Sequence, residues 1–410
     1  MRPGLLATIV TVGVLVWHTS IGHAENWPGF RGPTGLGYAE DGNLPLTWGG
    51  PEGANVLWKA ALKGQGHASP IVWEDFVFVC TANWPPEVRE RQKVIPEQHV
   101  SCFRVTDGKL LWDTLVPPGP WLRTDFRSGP GGGYAAPTPV TDGSLVYCAF
   151  GSSVVAALDF HGKIVWHKAI VPYSFDVTLG SSPILYQDTV ILLCAMAKPQ
   201  DSRVIALNKT NGEVKWERKL PDTGFGHSTP VIIRVNEKPQ MLVLASGMAI
   251  ADHALQSLNP ATGERLWWAR GAGDAASPAY GAGLVYFDSG RGSPGAAVDP
   301  TRPEDDSKKD IKWTIAQVPE GISSPIFVGQ YLYRLHNPGI LKCWDATTGK
   351  QIYAERLGGI SSTWASPVAD SHGRLFFANA GKSYVIESGP KFRVLAVNDL
   401  GDGNHPSPAV

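Results

Sequence analysis

The sequence predicts an all-β protein, a β-propeller built from four-stranded antiparallel blades. Three observations lead to this prediction: a repeated phrase of short apolar runs, a spacing of roughly 40 to 50 residues between copies, and a composition rich in turn residues. Each copy opens on a Ser-Pro or Thr-Pro step, passes an Asp or Asn turn that ends in glycine, and closes on a short strand that carries an aromatic residue. The 46 glycines and 33 prolines among 410 residues suit a fold with many tight turns.

Seven copies of this phrase follow one another along the chain. The clear copies span 138–166, 182–216, 229–267, 277–313 and 324–353, and the looser ones span 69–112 and 366–393. Two fragments flank them: 55–59 matches the last strand of a blade, and 405–410 matches the first. Closing a ring with both chain ends leaves no exposed sheet edge. We therefore predict eight blade positions with the last blade incomplete; seven blades with two loose ends is the alternative.

The chain divides into three segments. Residues 1–24 are predicted to be a signal peptide, because Arg2 is followed by an apolar stretch and by the small-x-Ala site Gly22-His23-Ala24. Residues 25–54 are rich in glycine and proline and are interpreted as a strap that packs on the propeller of residues 55–410. The mature protein is expected in the periplasm or outside the cell, with no transmembrane segment after cleavage.

Charge and cysteine content exclude several functions. The formal net charge is -1, from 36 Lys and Arg against 37 Asp and Glu, so no basic surface for nucleic acid is predicted. The five cysteines form no Cys-x-x-Cys and no zinc-ligand spacing. Their repeat positions favour small buried side chains. A disulfide between Cys80 and Cys102, on adjacent strands of one blade, is the alternative in an oxidising compartment.

The aromatic residue that closes each copy is expected to be structural. A tryptophan after each turn would fill the interface between neighbouring blades and bury a large apolar area there; an aromatic ligand cage is the alternative. The predicted blade tryptophans are Trp58, Trp112, Trp166, Trp216, Trp267 and Trp313.

Most of the long connections are predicted to lie on one face. Connections between the second and third strands, and those between blades, emerge on the same rim of an antiparallel blade, and they are the longer ones in this chain. Function concentrates on loops that a rigid scaffold positions. Exposed aromatic and arginine side chains there would be typical of a partner contact, and equally of loops that pack back on the propeller. The loop candidates for partner binding are Trp84, Trp121, Arg123, Arg127, Tyr134 and Trp364.

Histidines are placed just before two of the inner strands. His67 and His227 precede Ser-Pro and Thr-Pro steps, so both are expected at the channel mouth on the loop-rich face and are further candidates for partner contact. A metal site needs several ligands within a few ångström of one another, whereas positions in different blades lie far apart. We therefore predict no metal site and no catalytic Ser/His/Asp arrangement.

The repeats resemble a known family. Phrases such as Val155-Ala156-Ala157-Leu158-Asp159 and Val204-Ile205-Ala206-Leu207-Asn208, each followed by a glycine turn and a tryptophan strand, resemble the PQQ repeat of quinoprotein alcohol dehydrogenases and BamB-like proteins. The lead-in Trp27–Pro33 resembles secreted PQQ-like repeat proteins of unassigned activity. The resemblance implies a propeller. The enzymes of that family use an adjacent Cys-Cys pair and a calcium site, and no two cysteines here are adjacent.

Three hypotheses for function follow. The residues favour an exported, non-catalytic propeller that binds a protein or polysaccharide partner through its loop-rich face, with no cofactor. The resemblance implies a second hypothesis, an oxidoreductase that uses PQQ with calcium at a divergent site, for which Asp252 and Asp274 are the candidate acids. A third is a glycan-binding propeller in which Trp84, Trp121 and Trp364 stack on sugar rings. The sequence favours a binding protein over an enzyme.

Overall fold

The computed structural model consists almost entirely of antiparallel β-sheet. It describes residues 25–40, 42–50, 52–122, 133–170, 179–196, 198–247, 249–301, 310–379, 382–401 and 406–410. These residues form seven four-stranded sheets, each with its strands in chain order, which are the blades of a propeller. The helices in these ranges are short 3-10 turns at Arg91–Lys93 and Pro199–Asp201. None of the described helices has the length and apolar character needed to cross a membrane. The predicted signal peptide lies outside the described residues.

The first four blades occupy residues 71–271. Blade 1 consists of β1 (Ile71–Trp73), β2 (Phe76–Asn83), β3 (Glu97–Arg104) and β4 (Leu110–Val116). Blade 2 consists of β5 (Val140–Thr141), β6 (Leu145–Phe150), β7 (Val154–Asp159) and β8 (Ile164–Ala169). Blade 3 consists of β9 (Ile184–Tyr186), β10 (Thr189–Cys194), β11 (Arg203–Asn208) and β12 (Val214–Lys219). Blade 4 consists of β13 (Val231–Val235), β14 (Lys238–Leu244), β15 (Ala251–Leu258) and β16 (Arg265–Gly271).

The other three blades occupy residues 279–399. Blade 5 consists of β17 (Ala279–Gly281), β18 (Leu284–Phe287), β19 (Arg291–Val298) and β20 (Ile311–Glu320). Blade 6 consists of β21 (Ile326–Val328), β22 (Tyr331–His336), β23 (Ile340–Asp345) and β24 (Gln351–Arg356). Blade 7 consists of β25 (Val368–Ala369), β26 (Arg374–Asn379), β27 (Lys382–Glu387) and β28 (Val394–Asp399). The prediction of an all-β propeller with four-stranded antiparallel blades is confirmed.

A closed ring of hydrogen bonds joins the starts of the blades. At each Ser-Pro or Thr-Pro step, the backbone N–H of the serine or threonine donates to the side-chain oxygen of the corresponding residue in the next blade, at 2.9 to 3.1 Å. All eight residues are buried. In order around the ring they are Ser69, Thr138, Ser182, Thr229, Ser277, Ser324, Ser366 and Ser407. The ring therefore has eight positions, although the described residues form seven sheets.

The eighth position is occupied by both chain ends without a sheet. Ser407 accepts the N–H of Ser366 and donates its own N–H to Ser69, which closes the ring. Trp58 packs on the third-to-fourth turn of blade 1, as the tryptophans of complete blades do on their neighbours, and its indole N–H donates to the Val105 carbonyl at 2.6 Å. The strands predicted at 55–59 and 407–410 do not form, because no ladder of hydrogen bonds joins either segment to a neighbouring strand in the described residues.

Blade tryptophans meet glycines of the neighbouring blade. The indole N–H groups of Trp112, Trp166 and Trp313 donate to backbone carbonyls in the next blade's turn, at 2.7 to 3.0 Å. Each indole lies so close to the turn glycine that a β-carbon there would be 2.6 to 2.7 Å from ring atoms. The glycines in contact with these three tryptophans are Gly162, Gly212 and Gly349, which all have positive φ. Each turn glycine therefore supplies both the left-handed backbone and the space for the indole.

The strap of residues 25–54 crosses the first strands of several blades. Trp27 exchanges two backbone hydrogen bonds with Val72 of blade 1. The Pro28 carbonyl accepts the N–H of Thr141 in blade 2, and the Gly37 carbonyl accepts the N–H of Ala369 in blade 7. Arg31, 2% exposed, donates from Nη2 to the carbonyls of Leu36 and Pro325. Each of these contact residues comes after the ring residue of its own blade in the chain. The strap therefore lies on one side of the ring.

All five cysteines are buried and free. Cys80 and Cys102 do not pair, because the register of β2 and β3 sets Cys80 opposite Val100, and Cys102 opposite Phe78. The Cys80 thiol instead hydrogen-bonds to Cys148 of blade 2, and this contact together with burial raises its pKa well above the ordinary value. The alternative of a Cys80–Cys102 disulfide is therefore not found in the structure.

We predict that Gly349→Ala destabilises the protein more than Gly329→Ala. Both glycines belong to blade 6 and have positive φ, so alanine strains the backbone at either site. A β-carbon at 349 would also lie 2.6 Å from the Trp313 indole, whereas one at 329 would meet no atom within 4 Å. We expect Gly349→Ala to cost about 1–3 kcal/mol more in the free energy of unfolding, measured with urea. Equal losses would show that the indole contact does not constrain this turn.

A second prediction concerns closure of the ring. Ser407→Ala removes the acceptor of the buried Ser366 N–H and should lower the free energy of unfolding by about 1–3 kcal/mol. Ser407→Thr keeps a hydroxyl, and threonine already fills ring positions 138 and 229, so this variant should lose much less. Thermal and urea unfolding of the three proteins provide the comparison. If alanine and threonine behaved alike, the hydrogen bond would not contribute to closure.

Candidate functional site

The ring of serines and threonines places three candidate residues at equivalent positions. His67, His227 and Trp364 each lie two residues before a ring residue, namely Ser69, Thr229 and Ser366. We call these three the rim residues. Each rim residue comes before the ring residue of its blade in the chain, whereas the residues that contact the strap come after it. The rim and the strap therefore lie on opposite sides of the ring, and the rim is on the loop-rich face.

Two rim residues form a stacked pair. The rings of His67 and Trp364 lie 5.5 Å apart with an interplanar angle of 7°. The Trp364 backbone N–H donates to Oδ1 of Asn379, a residue that is itself 1% exposed, and the His67 N–H donates to the Ala135 carbonyl. Trp364 nevertheless keeps 41% of its surface exposed. This pair is therefore a rigidly mounted aromatic surface that is open to solvent.

His227 lies at a different part of the rim. Its N–H donates to the Asp274 carbonyl at 2.7 Å, and its ring is tilted against Phe225 at 6.4 Å. His227 precedes ring position four and His67 precedes ring position one, so the fold does not bring the two imidazoles together. Across the described ranges, no group of three or more His, Cys, Asp or Glu side chains is placed to bind a metal ion.

The loop aromatics of blades 1 and 2 form a packed cluster. Trp84 is 9% exposed and Tyr134 is fully buried, and their rings meet edge to face at 6.0 Å. Trp121 is half-buried and lies 6.4 Å from Tyr134. The Trp84 indole donates to the Val94 carbonyl, and the guanidinium of Arg91 lies 5.6 Å from the Trp84 ring. Of the two alternatives for these loops, the folded chain shows the one in which they pack back on the propeller, with Trp84 and Tyr134 buried.

The structure does not describe two further candidates from the sequence. Arg123 and Arg127 lie outside the described residues. Of the eight predicted partner-binding residues, the structure therefore brings together Trp84, Trp121 and Tyr134 in one buried cluster, and His67 with Trp364 in one exposed pair.

The structure contains a buried ion pair that the sequence did not indicate. Arg334 of blade 6 and Asp288 of blade 5 are both fully buried, and two guanidinium nitrogens donate to the carboxylate at 2.8 and 3.0 Å. Arg334 also donates to the Gly321 carbonyl at 2.6 Å. Burial acts to raise the pKa of Asp288, but the guanidinium outweighs it and holds the pKa below its ordinary value. Two residues 46 positions apart give no local pattern, so only the fold reveals the pair.

His336 lies at the end of the same strand as Arg334. Its Nδ1 is 3.0 Å from the Pro319 carbonyl, which fixes a proton on Nδ1 in the neutral ring because a carbonyl can only accept. Burial, reinforced by the positive charge of Arg334, lowers the pKa of His336 to about 3. The imidazole is therefore neutral throughout the physiological pH range and serves as a donor rather than as a charge.

The acids considered for a quinone-linked calcium site are engaged by arginines. Asp274 is 1% exposed and accepts from Nε of Arg291 at 2.7 Å. Asp252 is exposed and paired with Arg270. Calcium prefers six to eight oxygen ligands in one shell. These two carboxylates form separate ion pairs, so they do not lie together in one calcium shell.

Comparison with known proteins shows similarity to an assembly factor and to enzymes. A family model described as outer membrane protein assembly factor BamB matches residues 96–355. XoxF of Paracoccus denitrificans, named as a dehydrogenase, is 29% identical over 147 residues, which are 33% of this chain and 23% of that protein. A tetrathionate hydrolase of Acidithiobacillus ferrooxidans is 22% identical over 355 residues, 79% of this chain and 65% of that protein. The chain thus spans less than two thirds of either relative.

Solved structures share the fold at low identity. BamB from Moraxella catarrhalis superposes with a TM-score of 0.55 at 14% identity, covering 81% of this chain and 92% of that one. The quinohemoprotein alcohol dehydrogenase of Comamonas testosteroni gives 0.63 at 14% identity, covering 94% and 74% respectively. A europium-containing methanol dehydrogenase gives 0.54 at 12% identity, covering 93% and 87%. At such identities the likeness establishes the propeller architecture.

We predict that His336 makes stability depend on pH. The folded pKa of about 3 is below the ordinary value of 6.5, so between these values the unfolded chain binds a proton that the folded chain does not. Stability should therefore fall as the pH drops below about 6.5, by up to ~1.4 kcal/mol per unit. The His336→Gln variant lacks this titration, so its difference in unfolding free energy from wild type should shift by about 2 kcal/mol between pH 7.5 and pH 5.

Urea unfolding at the two pH values makes the measurement. The His161→Gln variant, at an exposed turn position, is the matched control and should retain the wild-type pH dependence. If His336→Gln kept that dependence as well, the imidazole would not be buried in its neutral form.

Proposed function

The chain belongs to the family described as outer membrane protein assembly factor BamB, and from this membership we propose that it is a non-catalytic propeller that binds a protein or polymer partner on its loop-rich face. We place it in the periplasm or outside the cell. The proposal rests on the rim residues, and above all on the His67–Trp364 pair.

Exposed tryptophan on a rigid support is a characteristic of binding hot spots. Trp and Arg dominate the energetics of protein interfaces, and a side chain that is already ordered loses little entropy on binding. Trp364 meets both requirements, since its backbone is anchored on Asn379 and its ring is stacked on His67. Ile250, 52% exposed in the second-to-third connection of blade 4, adds apolar surface on the same face. The loop-rich face therefore offers an aromatic anchor at Trp364 and separate apolar surface at blade 4.

The opposite end of the channel supports the choice of face. The strap contacts the first strands of blades 1, 2, 6 and 7 beyond the ring, and its Arg31 is buried there. A partner would meet the strap on that side rather than the channel wall. The loop-rich face is the side on which ring-anchored side chains remain exposed.

The dehydrogenase relatives support a second candidate, an oxidoreductase that uses PQQ with calcium. The match to XoxF covers 33% of this chain, and the acids Asp252 and Asp274 are already held in arginine pairs. A glycan-binding propeller is the third candidate, for which Trp364 is the exposed stacking residue in the described chain. Each candidate gives a different result in the experiment below.

We predict that Trp364→Ala abolishes partner binding while Ile352→Ala does not. Residues 25–410 of the three proteins would be immobilised and exposed to cell-envelope extract from the source cells, and the bound proteins and glycans would be quantified. Loss of a hot-spot tryptophan costs about 2 kcal/mol or more, so recovery should fall by at least about tenfold. Ile352 is 37% exposed on the outer strand of blade 6, away from the rim, and is the matched control.

Two outcomes would contradict the proposal. Equal capture by all three proteins would show that the rim is not the contact surface. Saturable quenching of tryptophan fluorescence when PQQ and Ca²⁺ are added to the folded wild-type chain would support the oxidoreductase instead. Unchanged fluorescence, together with capture that depends on Trp364, is the expected result.

A further inference from the structure

A cleft between blades 3 and 4 has the chemistry of a ligand site. It encloses about 120 Å³. One water requires roughly 10–15 Å³ on the same scale, so the space suits a small molecule. The cleft is separate from the rim. Its lining consists of Arg218, Lys219, Leu220, Pro221, Asp222, Gln256 and Arg265.

Gln256 is the most deeply buried polar residue in the lining of this cleft. Its side chain is 1% exposed, and Nε2 donates to Oγ1 of Thr223 at 2.6 Å and to the His253 carbonyl at 3.3 Å. Because a carbonyl can only accept, the His253 contact fixes which end of the amide carries the nitrogen. Oε1 is then buried with no donor among the described residues. Such an atom costs about 1–3 kcal/mol unless something donates to it.

Positive charge surrounds the same space. Arg218, Lys219 and Arg265 line the cleft, and none of them forms an ion pair with an acid in the described part of the chain. The one acid in the lining, Asp222, lies 3.3 Å from Nδ1 of His253. The cleft therefore has three cations against one carboxylate, in a protein whose formal net charge is -1.

The interface between these two blades also departs from the repeat. At four other interfaces, the indole N–H of Trp58, Trp112, Trp166 or Trp313 donates to a carbonyl of the next blade. The N–H of Trp267 in blade 4 donates instead to Gln240 of its own blade. The buried N–H of Trp216 has no acceptor among the described residues. The Trp216 ring and the β-carbon of Arg218, a residue of the cleft lining, both pack over Gly263.

We propose that the cleft binds a small hydroxy-carboxylate, of which a sugar acid is the simplest case. The three cations, of which Arg218 and Lys219 are exposed and Arg265 is half-buried, favour an anion, and a carboxylate matches a guanidinium in a bidentate hydrogen bond. The free Oε1 of Gln256 requires a donor, which a hydroxyl supplies and a simple carboxylate lacks. A neutral sugar would satisfy only the amide, and a simple anion would satisfy only the cations.

The experiment uses D-galacturonate as the probe with residues 25–410 of the chain. Isothermal titration calorimetry would compare the acid with its methyl ester, which keeps the hydroxyls and removes the charge, and with acetate, which keeps the charge and has no hydroxyl. We expect millimolar binding of galacturonate and at least about tenfold weaker binding of both comparison compounds. Tri-galacturonate distinguishes the source of the ligand, since tighter binding of the trimer indicates a polymer and equal binding indicates a free acid.

Two variants test the assigned residues. Arg265→Gln should weaken galacturonate binding about tenfold or more while leaving the weak binding of the methyl ester unchanged. Gln256→Met removes the acceptor at similar volume and should reduce the preference of the cleft for galacturonate over acetate. Arg356→Gln, at an exposed site on the outer strand of blade 6, is the matched control and should bind as wild type does. Trp364→Ala should also bind as wild type, which separates this site from the rim.

The proposal would be overturned by two results. Absence of heat with galacturonate and with its trimer, in protein shown to be folded, would mean that the cleft holds only solvent. Equal affinity for galacturonate and its methyl ester, or equal loss in Arg265→Gln and Arg356→Gln, would show that the cations of the cleft do not select the ligand. If Gln256→Met did not fold, the two arginine variants would still decide the question.

Discussion

The ring of eight lateral hydrogen bonds is the constraint on which the rest of the structure depends. In an ordinary sheet the backbone N–H groups stay within the ladder of their own strands, but here one N–H per blade donates to the hydroxyl of the next blade. The proline after each ring residue holds that residue in an extended conformation, because its ring disfavours the helical region for the preceding residue. The Ser-Pro or Thr-Pro step thus combines a lateral acceptor with an extended backbone. Since the donors and acceptors are buried, each link that is broken leaves an unsatisfied group.

Closure of this ring explains how a chain with seven sheets fills eight positions. Ser407 accepts the link from Ser366 and donates the link to Ser69, and Trp58 supplies the aromatic contact to blade 1. The strap fills the space beside blade 7, where Trp48 stacks on Phe376 and its N–H donates to Asn398. Lateral links and aromatic contacts are therefore sufficient to hold a position in the ring without the hydrogen-bond ladder of a sheet. The same links fix the rim residues, which lie two positions away from ring members.

The sequence could predict those parts of the fold that repeat. Spacing, turn glycines and the position of tryptophan follow from local rules, and they place the blades and the sides on which connections emerge. The sequence left open whether Trp84 and Tyr134 are exposed or packed on the propeller, because their burial depends on how two loops from neighbouring blades pack on each other. The pair of Asp288 and Arg334 was missed for the same reason, since the two residues belong to different blades and are far apart in sequence. Contacts between blades arise only from the closed ring, and they decide which candidate side chains remain exposed.

In a repeat protein, departures from the repeat are more informative than the repeat itself. Closure of the ring accounts for Trp112, Trp166 and Trp313, whose indole N–H groups donate to the next blade. Two tryptophans depart from this arrangement. The N–H of Trp216 has no acceptor in the described chain, and the N–H of Trp267 donates to Gln240 of its own blade. Both exceptions adjoin blade 4, and one of them packs over Gly263 together with Arg218 of the cationic cleft. Buried polar atoms without a partner occur in several blades of the described chain, for example at Gln98 of blade 1, Tyr286 of blade 5 and Asn379 of blade 7, and each costs free energy. At Trp216 an unmatched donor coincides with the loss of a repeated contact between blades and with cationic side chains nearby. This combination is the reason to place binding at the cleft, and the chemistry of the cleft then sets what can be bound.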